Sequence, residues 1–194
     1  MQKLATFIAF VLAAALAAPV AAQSGTAVVG KGPGMAGAAQ TVKVTATITA
    51  IDPKTRDITL KGPQGNEVTV TAGPEVKNFA KMKVGDQVNI EYLEALTLEL
   101  KKGGGMVVQR TTKEGMTGAK AGAQPAGGAG RQVTIVADVV DVDAAKQTIT
   151  LRGPKRTVDL RIPDPEQFKR VAKGDQVEAT YTQAVAVVVE PAKK

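Results

Sequence analysis

The side chains that usually carry enzyme chemistry are scarce in this chain of 194 residues. It contains no histidine and no cysteine, and its single serine is Ser24. Serine–histidine and cysteine–histidine hydrolase sites cannot be built from this composition, and the common zinc sites also need His or Cys. The sequence therefore predicts no catalytic residue, no cofactor or cofactor-binding residue, and no enzyme activity.

Paired carboxylates remain possible as acid and base, since two of them can run glycoside hydrolysis. The acids here instead fall in equivalent pairs at predicted turns, which favours a structural role: Asp52 with Asp143, Asp86 with Asp175, and Glu75 with Glu166. Asp141 and Asp143 lack the ligand spacing of an EF-hand, which disfavours a calcium site.

Methionine sulfur is the remaining candidate metal ligand. Met35, Met106 and Met116 are soft enough to bind Cu(I), but they are spread over Gly-rich segments. Met82 lies beside a predicted helix and is interpreted as core. We assign no metal-binding residue.

Four aromatic residues outside the N-terminal segment could stack on nucleic-acid bases: Phe79, Tyr92, Phe168 and Tyr181. Their equivalent positions and inward phase favour the core instead. Residues 40–100 carry 7 basic and 8 acidic residues and residues 131–190 carry 9 of each, so the basic excess lies in the linker and termini. This distribution of charge disfavours nucleic acid as a partner.

A repeated motif determines the predicted organisation. ITAIDPKTRDITLKGP (48–63) and VVDVDAAKQTITLRGP (139–154) share six of sixteen residues at an offset of 91, and FAKMKVGDQVNIEY (79–92) matches FKRVAKGDQVEATY (168–181) at an offset of 89. This is a tandem duplication. We predict a signal peptide (1–22), a disordered leader (23–39), module 1 (40–101), a Gly/Ala-rich basic linker (102–130), module 2 (131–190) and a tail (191–194).

Each module shows strand periodicity with a regular sequence of turns. A three-residue step from Ile48 to Ile51, and from Val139 to Val142, predicts a bulge in a long first strand. Two short strands, a short helix after proline and a Gly-Asp turn follow, in which Gly85 and Gly174 suit a left-handed conformation. The last segments, 87–101 and 177–189, fit either two strands or one long curved strand.

This order predicts an all-β fold of two tandem five-stranded OB-like barrels, each with a short helix between strands 3 and 4. The V-x-x-I/V-D, I-T-L and GDQV pattern resembles small periplasmic OB-like domains of unknown function, over about 120 of the 194 residues. It is more remotely similar to the periplasmic copper and silver chaperone of tripartite efflux systems. That resemblance would imply His, Met and Trp ligands, and the chain has no His or Trp.

Lys3, an apolar run and Val20-Ala21-Ala22 are typical of a cleaved export signal. We therefore expect a periplasmic protein with no membrane span after cleavage. The predicted function is that of a non-enzymatic binding or adaptor protein that contacts an envelope protein or cell-wall component. The alternative is a copper- or silver-handling accessory protein. The sequence leaves the oligomeric state open.

Overall fold

The computed structural model describes residues 24–74, 76–120 and 122–192. The predicted signal peptide (1–22), Glu75 and the last two residues of the tail lie outside the described residues. Within the described ranges the chain is all-β, which confirms the predicted class. The strands are β1 (Ser24–Gly32), β2 (Met35–Asp52), β3 (Asp57–Lys61), β4 (Glu67–Thr71), β5 (Gln87–Lys101), β6 (Arg110–Gly118), β7 (Ala126–Asp143), β8 (Thr148–Arg152), β9 (Thr157–Arg161) and β10 (Gln176–Glu190). A 3₁₀ turn (Phe79–Lys81) precedes β5, and the helix α1 (Pro165–Phe168) precedes β10.

The ten described strands form one antiparallel sheet. Its path runs β4-β3-β2-β5-β10-β7-β8-β9, while β1 pairs with β2 and β6 pairs with β7. The path ends at β4 and β9, so the sheet is not closed and two separate five-stranded barrels are not confirmed. The reason is that β5 and β10, the last strands of the two repeats, pair with each other along all fifteen residues.

The β5–β10 pair gives the molecule an approximate two-fold axis. Gln87 lies opposite Glu190, Glu94 opposite Gln183, and Lys101 opposite Gln176. Gln183 is also the repeat equivalent of Glu94, at the offset of 89. The axis therefore passes between these two residues, and the first half of each strand faces the second half of the other.

Two hydrophobic cores lie at the opposite ends of this strand pair. The first core contains Ile48, Leu60 and Phe79 from repeat 1 and is completed by Val189 from repeat 2. In the second core, Val139 and Ile149 from repeat 2 pack with Leu98 and Leu100 from repeat 1. Burying a side chain of this size contributes roughly 1.5–3 kcal/mol. Each core is therefore stabilised by a strand that belongs to the other repeat.

The segments predicted to be a disordered leader and a mobile linker both contain strands. β1 lies within 23–39 and pairs with β2 over nine residues, and β6 lies within 102–130 and pairs with β7 over nine. The expectation of disorder is corrected for these strands. Their Gly/Ala-rich composition offers little apolar surface for burial, but backbone pairing with β2 and β7 orders them.

Several local predictions are confirmed. The pairing register shifts between Ile48 and Ala50 and again between Val139 and Asp141, as expected for a bulge in each repeat. Gly85 and Gly174 have φ of +96° and +94°. The last segment of each repeat is one continuous strand, which decides between the two alternatives.

Candidate binding cavities

The acids at the first turn of each repeat bind nearby backbone. Asp52 accepts a hydrogen bond from the Lys54 N–H at 2.8 Å. Asp143 accepts one from the Lys146 N–H at 3.0 Å and forms an ion pair with the same lysine at 2.9 Å. The Lys146 contacts lower the pKa of Asp143. These carboxylates cap turns and do not converge on a common site.

The acids of the Gly-Asp turns are buried. Asp86 accepts from the Lys83 N–H at 2.9 Å. Asp175 accepts from the Ala172 N–H at 2.8 Å and lies 2.6 Å from the Lys102 ammonium. Burial acts to raise the pKa of Asp175, but hydrogen bonds from Lys102 and two backbone N–H groups outweigh it and lower that pKa. Of the third pair, Glu166 forms an exposed ion pair with Lys169.

The candidate methionine ligands lie on different elements of the fold. Met35 lies on β2, Met106 between β5 and β6, and Met116 on β6, and all three are exposed. Met82 is buried in the first core, as predicted. Across 24–74, 76–120 and 122–192, no three His, Cys, Asp or Glu side chains are grouped so that they could hold a metal ion.

The aromatic residues divide into two kinds. Phe79 is buried in the first core and Phe168 packs against the second, as predicted. Tyr92 and Tyr181 are only half-buried and lie between the cores, which corrects their predicted place in the core. The Tyr181 hydroxyl donates to the Glu94 carboxylate, and the Tyr92 hydroxyl accepts from Gln183 Nε2 at 2.9 Å. Polar partners near the two-fold axis therefore hold both tyrosines in the central sheet.

Two apolar cavities open beside the two cores, and they are equivalent under the approximate two-fold axis. Cavity A has a volume of about 190 Å³ and cavity B of about 170 Å³. Leu98 and Leu100 of β5 line cavity A, and their repeat equivalents, Val187 and Val189 of β10, line cavity B. Cavity A thus lies beside the core of repeat 2 but is lined by a strand of repeat 1, and the reverse holds for cavity B. Both cavities therefore result from the strand exchange.

Cavity A has an apolar wall, and four charged residues are also in contact with it. Its apolar wall includes Ala36, Leu98, Leu100, Ile149, Leu160 and Val171, whereas Lys31, Glu99, Arg161 and Asp164 are the charged residues that line it. Cavity B has the equivalent apolar wall, formed by residues such as Ile58, Val70 and Met82, and no charged residue lines it among the described ones. Thr71 stands in cavity B where Arg161 stands in cavity A.

Two amide side chains attach a hairpin turn of one repeat to the other repeat. Gln167 donates to the Gly32 carbonyl at 2.6 Å and accepts from the Gly34 N–H at 3.0 Å, in the β1–β2 turn that borders cavity A. Its equivalent, Asn78, donates to the Lys120 carbonyl at 2.9 Å and to the Ala123 carbonyl at 3.1 Å, in the β6–β7 turn. These bonds fix the hairpins on the partner repeat.

The wall of cavity B has an additional support that the sequence did not reveal. Arg56 donates to the carbonyls of Ala72, Gly73 and Val76 at 2.8 to 2.9 Å, and its guanidinium carbon lies 4.6 Å from the centre of the Phe79 ring. The equivalent residue in repeat 2 is Gln147.

No family model, curated protein or solved structure matches this chain. In the part of the chain that the structure describes, no helix has the length and apolar character needed to cross a membrane.

Proposed function

We propose that this protein is an exported, non-enzymatic binding or adaptor protein of the periplasm, built from two OB-like modules that have exchanged strands. In this proposal, cavities A and B accept apolar groups of an envelope partner. The observation that carries it is the pair of equivalent apolar cavities, each walled by residues of both repeats.

The size and lining of the cavities support binding of small apolar groups. A dry cavity of about 150 Å³ lined by aliphatic side chains can bind benzene. The cavities here are somewhat larger, at about 190 and 170 Å³, and are similarly lined. An aliphatic side chain or short acyl group of the partner would fit either one, and two such anchors on one molecule would raise the overall affinity.

Substitutions at the small residues of the walls test the proposal. Ala36 lines cavity A and is exposed, and Ala129 lines cavity B and is half-buried. Leucine at both positions would occupy the space that an apolar anchor needs. Ala39→Leu is the matched control, because it places the same side chain on β2 but on the opposite face of the sheet.

The experiment is crosslinking in the intact envelope, followed by recovery of the protein and its partner, with the melting temperature of each variant measured in parallel. We expect the Ala36→Leu/Ala129→Leu variant to recover about tenfold less partner, while Ala39→Leu recovers the wild-type amount. Undiminished recovery by the double variant with filled cavities would contradict the proposal. Titration with Cu(I) and Ag(I) tests the alternative function. A copper- or silver-handling accessory protein should bind these ions stoichiometrically.

A further inference from the structure

We infer that the partner is an extended protein segment that places a basic side chain on Glu94 and an apolar side chain in each of cavities A and B. The inference rests on the proposed function, in which both cavities accept apolar groups. It adds the chemical class of the partner, the charge that is recognised and the spacing of the three contacts.

Glu94 lies on the face of the sheet that carries the walls of both cavities. Alternate residues of a strand share a face, so Ile90, Glu94 and Leu98 of β5 point the same way. Ile90 packs against the first core and lines cavity B, whereas Leu98 packs against the second core and lines cavity A. The Glu94 carboxylate therefore lies between the two cavities, on the side of the sheet that they open on.

The carboxylate of Glu94 has only neutral partners among the residues that the structure describes. The Tyr181 hydroxyl donates to one of its oxygens, and Gln40 Nε2 donates to the other at 2.7 Å. A carboxylate has about four acceptor positions, so each oxygen can accept a further bond. The other two charged residues of this cross-strand row, Arg131 and Glu114, pair with each other at 3.6 Å. A cation supplied by the partner would thus complete the site.

The surface around Glu94 is open to a partner. Leu96, two residues along the same face of β5, is 43% exposed. Val29 of β1 lies in the same cross-strand row as Leu96 and is also exposed. On the other side, the exposed Met116 lies opposite Ala129, which lines cavity B. Exposed apolar side chains and an unpaired carboxylate fit a segment that carries both apolar and basic residues.

The spacing of the three contacts matches an extended chain. Glu94 lies four residues from Ile90 and four from Leu98. At a rise of about 3.4 Å per residue, the two walls are roughly 27 Å apart along β5, with the carboxylate midway. An extended segment has the same rise and presents alternate side chains on one side, so its residues i, i+4 and i+8 can reach the three positions together. An ammonium or guanidinium at i+4 would form a charge-assisted bond with the carboxylate.

Synthetic nine-residue peptides isolate each contact. The parent peptide has leucine at both ends, lysine in the middle and serine at the other six positions, with blocked termini. Two further peptides replace the lysine by glutamine or glutamate, and a fourth moves both leucines next to the lysine. Each is titrated into the ¹⁵N-labelled protein, and the amide shifts of Ile90 and Leu98 follow the two walls. We expect the parent to bind about tenfold more tightly than the glutamine peptide and the fourth peptide, and the glutamate peptide to bind most weakly.

Glu94→Gln keeps the size of the side chain and removes its charge. This variant should bind the lysine and glutamine peptides equally, with the affinity that the wild-type protein has for the glutamine peptide. Glu91→Gln is the matched control, because Glu91 lies on the opposite face of β5 and pairs with Lys43 at 3.3 Å. It should retain the tenfold preference. Melting temperatures measured in parallel show that both variants are folded.

Equal binding of the lysine and glutamine peptides, or a lysine preference that survives Glu94→Gln, would overturn the inference. So would equal binding of the parent and the fourth peptide. Each of these results leaves the proposed function standing, because leucine can still enter the cavities. Failure of every peptide to bind would also overturn the inference. The proposed function would then be decided separately, by recovery of the envelope partner with the Ala36→Leu/Ala129→Leu variant.

Discussion

Tyr181 and Glu94 form a hydrogen bond across the β5–β10 pair, beside the two-fold axis that relates the repeats. The equivalent pair is Tyr92 with Gln183, but the two bonds run in opposite directions: the Tyr181 hydroxyl donates to a carboxylate, whereas the Tyr92 hydroxyl accepts from an amide. Burial, with the hydrogen bond and charge of Glu94, raises the pKa of Tyr181 to about 12. The folded protein therefore resists ionisation of Tyr181.

Glu94→Gln should lower the pKa of Tyr181 towards its ordinary value of 10.0, because the neighbouring charge is removed while burial remains. Absorbance of tyrosinate against pH measures it, in a Tyr92→Phe background so that Tyr181 is the only tyrosine. A raised pKa favours the neutral phenol in the folded state. This contribution to stability is thus complete below about pH 10 and lost as the pH rises from 10 to about 12.

Glu91→Gln is the control, since Glu91 lies on the opposite face of β5 and pairs with Lys43. An unchanged titration midpoint in the Glu94 variant would show that burial alone raises the pKa of Tyr181.

The exchange of strands predicts that substitutions in one repeat weaken the core of the other. Val189 is 1% exposed and packs in the first core, although it belongs to repeat 2. Val189→Ala should destabilise the protein by about 1–3 kcal/mol, through lost burial and the cavity left behind. Amide hydrogen exchange should accelerate around Ile48 and Ile58.

Val188→Ala is the matched control, because Val188 is its neighbour on β10 and is 41% exposed. If Val189→Ala accelerated exchange in repeat 2 alone, the first core would not depend on β10.

The local elements could be predicted from the sequence because their signals lie within a few residues. The steps Ile48 to Ile51 and Val139 to Val142 identified the bulges, and glycine before Asp86 and Asp175 identified positions of positive φ. The pairing of β5 with β10 could not be predicted in this way. Alternation shows that Leu98 and Leu100 point inward, but it does not show which repeat's core they join.

The candidate cavities were hidden for the same reason. Leu98 and Ile149 line one cavity but come from different repeats, so no motif in either repeat describes the site. β1 and β6 were missed because their Gly/Ala-rich sequences lack an apolar period, and they are ordered by pairing with β2 and β7.

Asp175 should contribute more to stability than its counterparts at the other turns. Its side chain is 6% exposed and accepts from Lys102, Gly103 and Ala172. Asp175→Asn removes a charge-assisted bond and should cost about 1–3 kcal/mol. Because the pKa of Asp175 is lowered in the folded state, its contribution is present above the unfolded value near 3.8 and is lost as the pH falls through the folded value.

Urea unfolding at pH 7 and at pH 3 measures this effect. The destabilisation caused by Asp175→Asn should shrink at the lower pH, whereas Asp143→Asn, at an exposed turn, should destabilise the protein less than Asp175→Asn does at pH 7. If the loss of unfolding free energy caused by Asp175→Asn were the same at both pH values, the charge of Asp175 would not be the source of its contribution to stability.

The shared sheet predicts that the two repeats remain associated after the chain between them is cut. Val107 lies between β5 and β6, is 72% exposed and belongs to no strand. A specific protease site inserted after Val107 would give two fragments, one ending after β5 and the other containing β6 to β10. Since β5 pairs with β10 over fifteen residues and each fragment completes the core of the other, the cut protein should keep the mass of the intact chain in light scattering after size exclusion.

Urea above the unfolding midpoint should separate the fragments, which provides the control that cutting is complete. Val189→Ala should shift that separation to lower urea, because it weakens the core that holds β10 to repeat 1. Two independent barrels joined by a linker would instead separate on cutting under native conditions, and two folded fragments of half the mass would exclude the strand exchange.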